Sequence, residues 1–365
     1  MRSLSTILGA VLLLATLATS TAAGAATLAS GSRQGAVAVA VVPTGRLGDP
    51  ANRFFQTFTS TGEGWHLTTP RGTATNGGIV VASPERGAAA VLPFFASHVT
   101  ALGIMTAGRP ARDGKVIPAL AVNPTSLTVN PATGRMVLVT SRGDVLAAAA
   151  VGGRLRRVAT TRAVAASGAG RRCGLSGIVA AATTPDGSLV VGGRCTRGGA
   201  GIFINRGSGG WSAVSGPGSG SWSVVRLDPT EDGVTALLAS SGNHRALRTV
   251  HLIGSVSSWS PQLPVVGQLR STAVSVATGA AATYLVALAN RGSVQLWTLG
   301  LDGPPRRVGP ALGSRVQAIV EGPHGIPAAF SVDGRTVVPM ALDASSGRWV
   351  AQQRFVLPLA YGTSE

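Results

Sequence analysis

The chain has 365 residues and carries 31 Lys and Arg against 14 Asp and Glu, a formal charge of +17, with 50 glycines and 21 prolines. Its apolar residues are mostly Ala and Val in short runs broken by Gly and Pro, a strand-and-turn composition that excludes a bundle of membrane-spanning helices. Lys115 is the sole lysine, so the charge is an arginine charge, and its excess suits association with polyanions.

Met1-Arg2, an apolar core over about 7–18 and the small-residue run Thr21–Ala25 form a secretory signal peptide, with an A-x-A site cut after Ala25. The apolar core is shorter than the roughly 20 residues that span a bilayer. No cysteine lies near the cleavage site and no paired arginines precede the apolar core, which favours the general export route and a secreted, extracellular protein without a lipid anchor. Residues 26–34 read as a flexible N-terminal segment and 35–365 as a single domain.

Within that domain a layout recurs. An arginine at a turn (Arg53, Arg142, Arg197, Arg245, Arg291, Arg335) leads into a strand, a small-residue turn and a second strand; 12 to 14 residues on stands a marker, Trp65, Leu155, Trp211, Trp259, Pro305 and Trp349 in turn. A worn copy has His98 at the turn and Pro110 at the marker. Successive markers are 44 to 56 residues apart. Further hairpins precede most arginines, at 126–140, 177–191, 224–240 and 316–332. Four short strands per unit at this period predict an all-β fold: a seven-bladed β-propeller of four-stranded antiparallel blades. No helical pattern of comparable strength is present. For closure, the strand 354–362 is expected at the inner edge of the first blade beside residues 35–43, pairing the N- and C-terminal strands so that no long edge is left open.

Cys173 and Cys195 flank a hairpin turning at Pro185-Asp186-Gly187. Folding that hairpin brings the thiols together, and in an oxidising compartment a disulfide follows, contributing about 3 kcal/mol by chain entropy. Glu85, Asp186, Asp228, Glu231, Asp232 and Glu321 fall in turns between first and second strands, and Asp302 and Asp343 near outer turns, where acids serve turn geometry. Asp144 and Asp333 share the arginine-bearing turns, as site residues or as ion-pair partners. The tripeptide Arg142-Gly143-Asp144 reads as an ordinary turn. The five histidines, His66, His98, His244, His251 and His324, have no zinc-ligand spacing, so no metal and no cofactor is expected. The periodic tryptophans read as packing between blades.

The segment ANRFFQTFTSTGEGWHLTTPRGTATNGGIVVAS, 51–83, resembles the secreted actinobacterial-type β-propeller proteins, distantly similar to sialidase and BNR-repeat propellers. A sialidase resemblance implies an arginine triad, a tyrosine nucleophile and S-x-D-x-G-x-x-W boxes. The chain departs from that pattern: its tyrosines are Tyr284, inside an apolar strand, and Tyr361, and its nearest box, Ser331-Val332-Asp333-Gly334, has the glycine out of register.

In a propeller the turns between second and third strands open on one face. Arg53, His98, Arg142, Arg197, Arg245, Arg291 and Arg335 are therefore candidate ligand-binding residues, a cationic ring suited to carboxylate, phosphate or sulfate. The reading is an exported, monomeric binding or scaffold propeller that docks an anionic polymer or glycan. The alternative is a glycan-cleaving enzyme, sialidase-like or another glycosidase or lyase. Nucleic acid is disfavoured, since the basic stretch from Arg154 to Arg206 holds only Phe203 for base stacking.

Overall fold

The computed structural model describes residues 30–31, 38–45, 53–60, 62–68, 79–82, 88–93, 103–106, 124–150, 153–207, 210–216, 220–240, 246–275, 281–322 and 325–357. Nearly all of them lie in antiparallel meanders that follow one another along the chain. The first comprises Ala38–Gly45, Arg53–Ser60 and Trp65–Leu67, and the second Ile79–Ala82, Ala88–Pro93 and Gly103–Thr106. Four strands build the third, Pro124–Val129, Met136–Thr140, Asp144–Ala148 and Arg156–Thr160. The fourth is Leu175–Thr183, Leu189–Cys195, Ile202–Asn205 and Trp211–Ala213. The fifth is Trp222–Pro229, Val234–Ser240, Ala246–Ile253 and Val256–Trp259, and it joins the fourth in one sheet where Arg194 pairs with Ser223. Gln268–Ser275, Thr283–Asn290, Ser293–Leu299 and Arg306–Gly313 form the sixth. The seventh is Val316–Glu321, Pro327–Asp333, Thr336–Leu342 and Trp349–Ala351.

Burial falls from the inner strands outward. Met136–Thr140 and the run Tyr284–Leu288 are buried at every residue, as expected of strands covered on both faces, whereas Ser293–Leu299 alternates and Arg306–Gly313 is largely exposed. Continuous apolar runs in the sequence therefore mark inner strands, and alternation marks outer ones.

First strands of successive meanders pack on one another: Ala38–Gly45 on Ile79–Ala82, that on Pro124–Val129, then Leu175–Thr183, then Trp222–Pro229. Side-chain hydrogen bonds cross the junctions as well: Thr128 Oγ1 donates to the Ala181 carbonyl at 2.8 Å and Asn130 Nδ2 to that of Thr183 at 2.6 Å. Leu237 and Leu247 of the fifth meander share a core with Val274, Tyr284 and Val286 of the sixth. The sixth meander's first strand packs on that of the seventh. Finally Val316–Glu321 packs on Ala38–Gly45, and Phe58, Trp65, Phe330, Val337 and Leu357 fill one core between the last meander and the first. There Phe330 meets Trp65 edge-on at 4.9 Å and Phe58 at 5.4 Å.

The structure corrects the expected placement of the first residues of the C-terminal strand 354–362. Phe355 and Val356 pair with Val337 and Thr336 inside the last meander, not beside residues 35–43. Pro339 has no N–H to offer the ladder. The outer strand makes its last regular bond from Gln352 N to the Pro339 carbonyl at 2.8 Å, loops over 352–354 and resumes at Phe355. The fifth meander does the same: Leu263–Pro264 resumes pairing on Ala246 and Leu247 after Ser260. Residues 358–365 lie outside the described residues. At the other terminus Ser30–Gly31, in the stretch read as flexible, pairs parallel with Val274 and Ser275.

Two helices depart from the expected all-strand pattern, α1 (Thr161–Ala166) and α2 (Gly168–Cys173). The Thr160 side chain caps α1. Ser167 ends one helix and starts the other: its hydroxyl donates to the Val164 carbonyl at 2.6 Å and accepts from Gly170 N at 3.0 Å. At Gly170 a Cβ would fall 2.1 Å from the Val164 carbonyl oxygen, so the helices meet this closely only over glycine. The expected disulfide joins the end of α2 to the fourth meander, Cys173 to Cys195, with Cα atoms 5.0 Å apart.

Candidate functional site

In a four-stranded antiparallel meander the second-to-third turn and the link to the next meander fall at the same end. Arg142, Arg197, Arg291 and Arg335 all occupy second-to-third turns. Arg53 opens the second strand of its three-stranded meander. His98 and Arg245 lie outside the described residues.

Each turn is built by local chemistry. Gly143, at φ 74°, donates to the Thr140 carbonyl at 2.8 Å, and Asp144 N donates to Thr140 Oγ1 at 3.2 Å. Arg197 N donates to the Cys173 carbonyl at 2.9 Å, docking its turn on the end of α2. Between the paired residues Asn290 and Ser293 the chain reverses through Arg291 and Gly292, at φ 44° and 85°. A two-residue reversal with both angles positive is the form that favours Asn-Gly. Arg291 is the one non-glycine residue at positive φ among the described residues.

Arg142, Arg197 and Arg291 are exposed, and none is ion-paired among the described residues. Arg335 differs: its Nε and one terminal nitrogen donate to the Leu357 carbonyl at 2.8 and 2.6 Å, so it also ties down the returning outer strand. Asp333 beside it pairs with Arg315, the ion-pair role foreseen for that acid.

Other carboxylates are engaged in their own loops. Asp186 accepts from Thr184 Oγ1 and from Ser188 N, and these hydrogen bonds hold its pKa below 3.8. Asp343 accepts from the hydroxyls of Ser345 and Ser346, and its pKa falls to about 2 through the Ser346 hydroxyl and the Ser345 amide.

Asp228 is not a turn residue. It lies near the end of Trp222–Pro229, almost buried, and takes the Arg226 guanidinium through two oxygens, Nε to Oδ2 at 2.6 Å and a terminal nitrogen to Oδ1. The Tyr284 hydroxyl, from the sixth meander, sits 3.0 Å from both Asp228 Oδ2 and the Thr235 carbonyl. Thr235 Oγ1 also accepts from Ala282 N and meets His251 Nδ1 at 2.9 Å, and His251 Nε2 stands 3.3 Å from Asp232. Burial, then the Asp228 charge, push the Tyr284 pKa well above its ordinary value, so the hydroxyl stays protonated and is a poor nucleophile. Burial works to lower the pKa of Arg226, but the adjoining carboxylate outweighs it and raises it. This network is a polar clasp between two meanders, largely buried except at Asp232. Its sequence signal is thin, since Tyr284 and Asp228 are 56 residues apart.

No family model matches the chain, and no curated protein matches it in sequence. Among solved structures it is similar to a candidate 6-phosphogluconolactonase from Bacteroides uniformis, at 14% identity and a TM-score of 0.56, over 89% of this chain and 97% of that one. It is also similar to the Swd1 β-propeller domain of Myceliophteria thermophila, at 14% identity and a TM-score of 0.53, over 84% and 93%. TolB from Acinetobacter baumannii gives 16% identity and a TM-score of 0.51, over 84% and 68%. At these identities the likeness is one of fold, and it makes this chain a protein of β-propeller fold.

Proposed function

We propose that the protein is an exported, closed seven-bladed propeller that docks an anionic cell-surface or extracellular polymer through the arginine-bearing end of its blades. Packing of the last meander on the first supports a closed ring, and the pattern of residues 1–25 supports export. The docking role rests on Arg291. A non-glycine residue at positive φ costs about 1 kcal/mol or more, and Asn or Gly would relieve it; an exposed arginine kept there, at the same end as Arg142 and Arg197, fits a contact made by its guanidinium. A glycan-cleaving alternative would need two carboxylates converging on one substrate. Asp186 and Asp343 are committed to their own turns, and Asp228 and Asp333 to arginines, instead.

The test uses two triple variants that remove equal charge from exposed arginines. One is Arg142→Gln, Arg197→Gln, Arg291→Gln. The other is Arg306→Gln, Arg307→Gln, Arg348→Gln, at the opposite end of the sixth and seventh meanders. With heparin as the probe at about 0.1 M salt, where charges are screened over roughly 10 Å, the first set is expected to weaken binding about tenfold and the second less than threefold. Equal losses would mean that the charge is diffuse and the turns hold no site.

A further inference from the structure

The arginine-bearing end is not symmetric. Of the described links between meanders, only the one from the third to the fourth carries helices; that between the sixth and seventh is just residues 314–315. In repeat folds, insertions in single repeats gather on one face, often the binding face. We propose that the α1–α2 insert is the main docking platform, and that it takes an acidic polysaccharide.

Both helices are fastened to the turns already identified. At its start, Thr161 N donates to the Gly143 carbonyl at 3.0 Å and Thr161 Oγ1 accepts from Ile178 N at 3.1 Å. A Cβ on Gly143 would lie 2.0 Å from Thr161 Oγ1, so the glycine after Arg142 is what lets α1 seat there. At the far end the Gly174 carbonyl accepts from Thr196 Oγ1 at 3.0 Å and the Cys173 carbonyl accepts from Arg197 N. The disulfide then staples α2 to the strand that leads into the Arg197 turn. The insert thus bridges the Arg142 and Arg197 turns and adds Arg162, Arg171 and Arg172, all exposed. Arg171 donates one nitrogen to the Ala166 carbonyl at 2.6 Å, and none of the five is ion-paired among the described residues. Asp144 is the acid on this patch.

The surface between these charges decides the ligand class. The insert exposes Ala163, Ala166 and Gly168 and has no aromatic residue, so it offers no platform for base stacking. It presents low ground on which a bulky, non-planar chain can lie while guanidinium forks grip its carboxylates or sulfates. Fixing these side chains on a stapled hairpin lowers the ordering cost of binding.

The inference rests on the anionic-polymer reading, and the test separates the two. Arg162→Gln with Arg172→Gln is compared with Arg306→Gln with Arg307→Gln, each checked for an unchanged melting temperature. Heparin affinity is expected to fall about fivefold in the first pair and less than twofold in the second. The unmodified protein is expected to bind heparin more tightly than poly(dT) or inorganic polyphosphate of matched charge. If the insert pair behaves like its control while the Arg142, Arg197 and Arg291 variant still weakens, the insert is not the platform and the polymer reading stands. If all the charge variants lose affinity alike, both fall. Equal affinity for heparin, poly(dT) and polyphosphate would overturn the polysaccharide assignment.

Discussion

Asp228→Ala is expected to destabilise the protein by about 3–5 kcal/mol, because it strands a buried guanidinium. The side chains of Arg226 and Asp228 are 14% and 9% exposed, so little solvent is at hand to replace the lost carboxylate. The same change removes an acceptor from Tyr284, itself fully buried. Replacing the pair together, Arg226→Met with Asp228→Leu, is expected to cost less than Asp228→Ala alone, since no charge is then left in the junction. Urea unfolding of the three proteins at neutral pH measures this. A loss below about 1 kcal/mol for Asp228→Ala would mean that water reaches Arg226 and that the fifth and sixth meanders are not clasped as described.

Phe330→Ala is the second large effect, expected at about 3–5 kcal/mol for deletion of a fully buried aromatic side chain. Its ring touches Phe58 and Trp65 across the contact between the last meander and the first. Phe203→Ala is the reference: Phe203 is equally buried, in the core shared by the third and fourth meanders, where neighbours in sequence are packed anyway. If the ring is closed, the two variants lose similar stability. A Phe330→Ala loss well under half that of Phe203→Ala would show that the first and last meanders separate easily in solution.

What could be read from the sequence follows the range of the interactions concerned. Hairpins are local, so the strands on either side of Pro185-Asp186-Gly187 and of Arg291-Gly292 were legible from turn chemistry and apolar runs, and folding the first of them placed Cys173 against Cys195. The helices were not. At six residues each they are too short to show a 3.6-residue period, and their real markers, Thr160 and Ser167, are common residues in a turn-rich chain. Asp228 sits in LDPTEDG, which has the composition of a turn. Its partner Tyr284 comes from another meander, and no local pattern announces it. The outer strand's return at Phe355 depends on the interruption at Pro339, and a strand restarting after three residues looks in sequence like a new one. The turn positions of Arg142, Arg197, Arg291 and Arg335 were legible from their recurring layout, whereas the tie from Arg335 to Leu357 and the clustering of Arg162, Arg171 and Arg172 beside Arg142 and Arg197 needed the fold.

Arginine-selective labelling with and without bound heparin, read residue by residue by mass spectrometry, tests docking at the arginine-bearing end most directly. The account predicts protection of Arg142, Arg162, Arg172, Arg197 and Arg291, with Arg306, Arg307 and Arg348 labelled at unchanged rates. Uniform protection of both groups, or protection centred on Arg306 and Arg307, would contradict it.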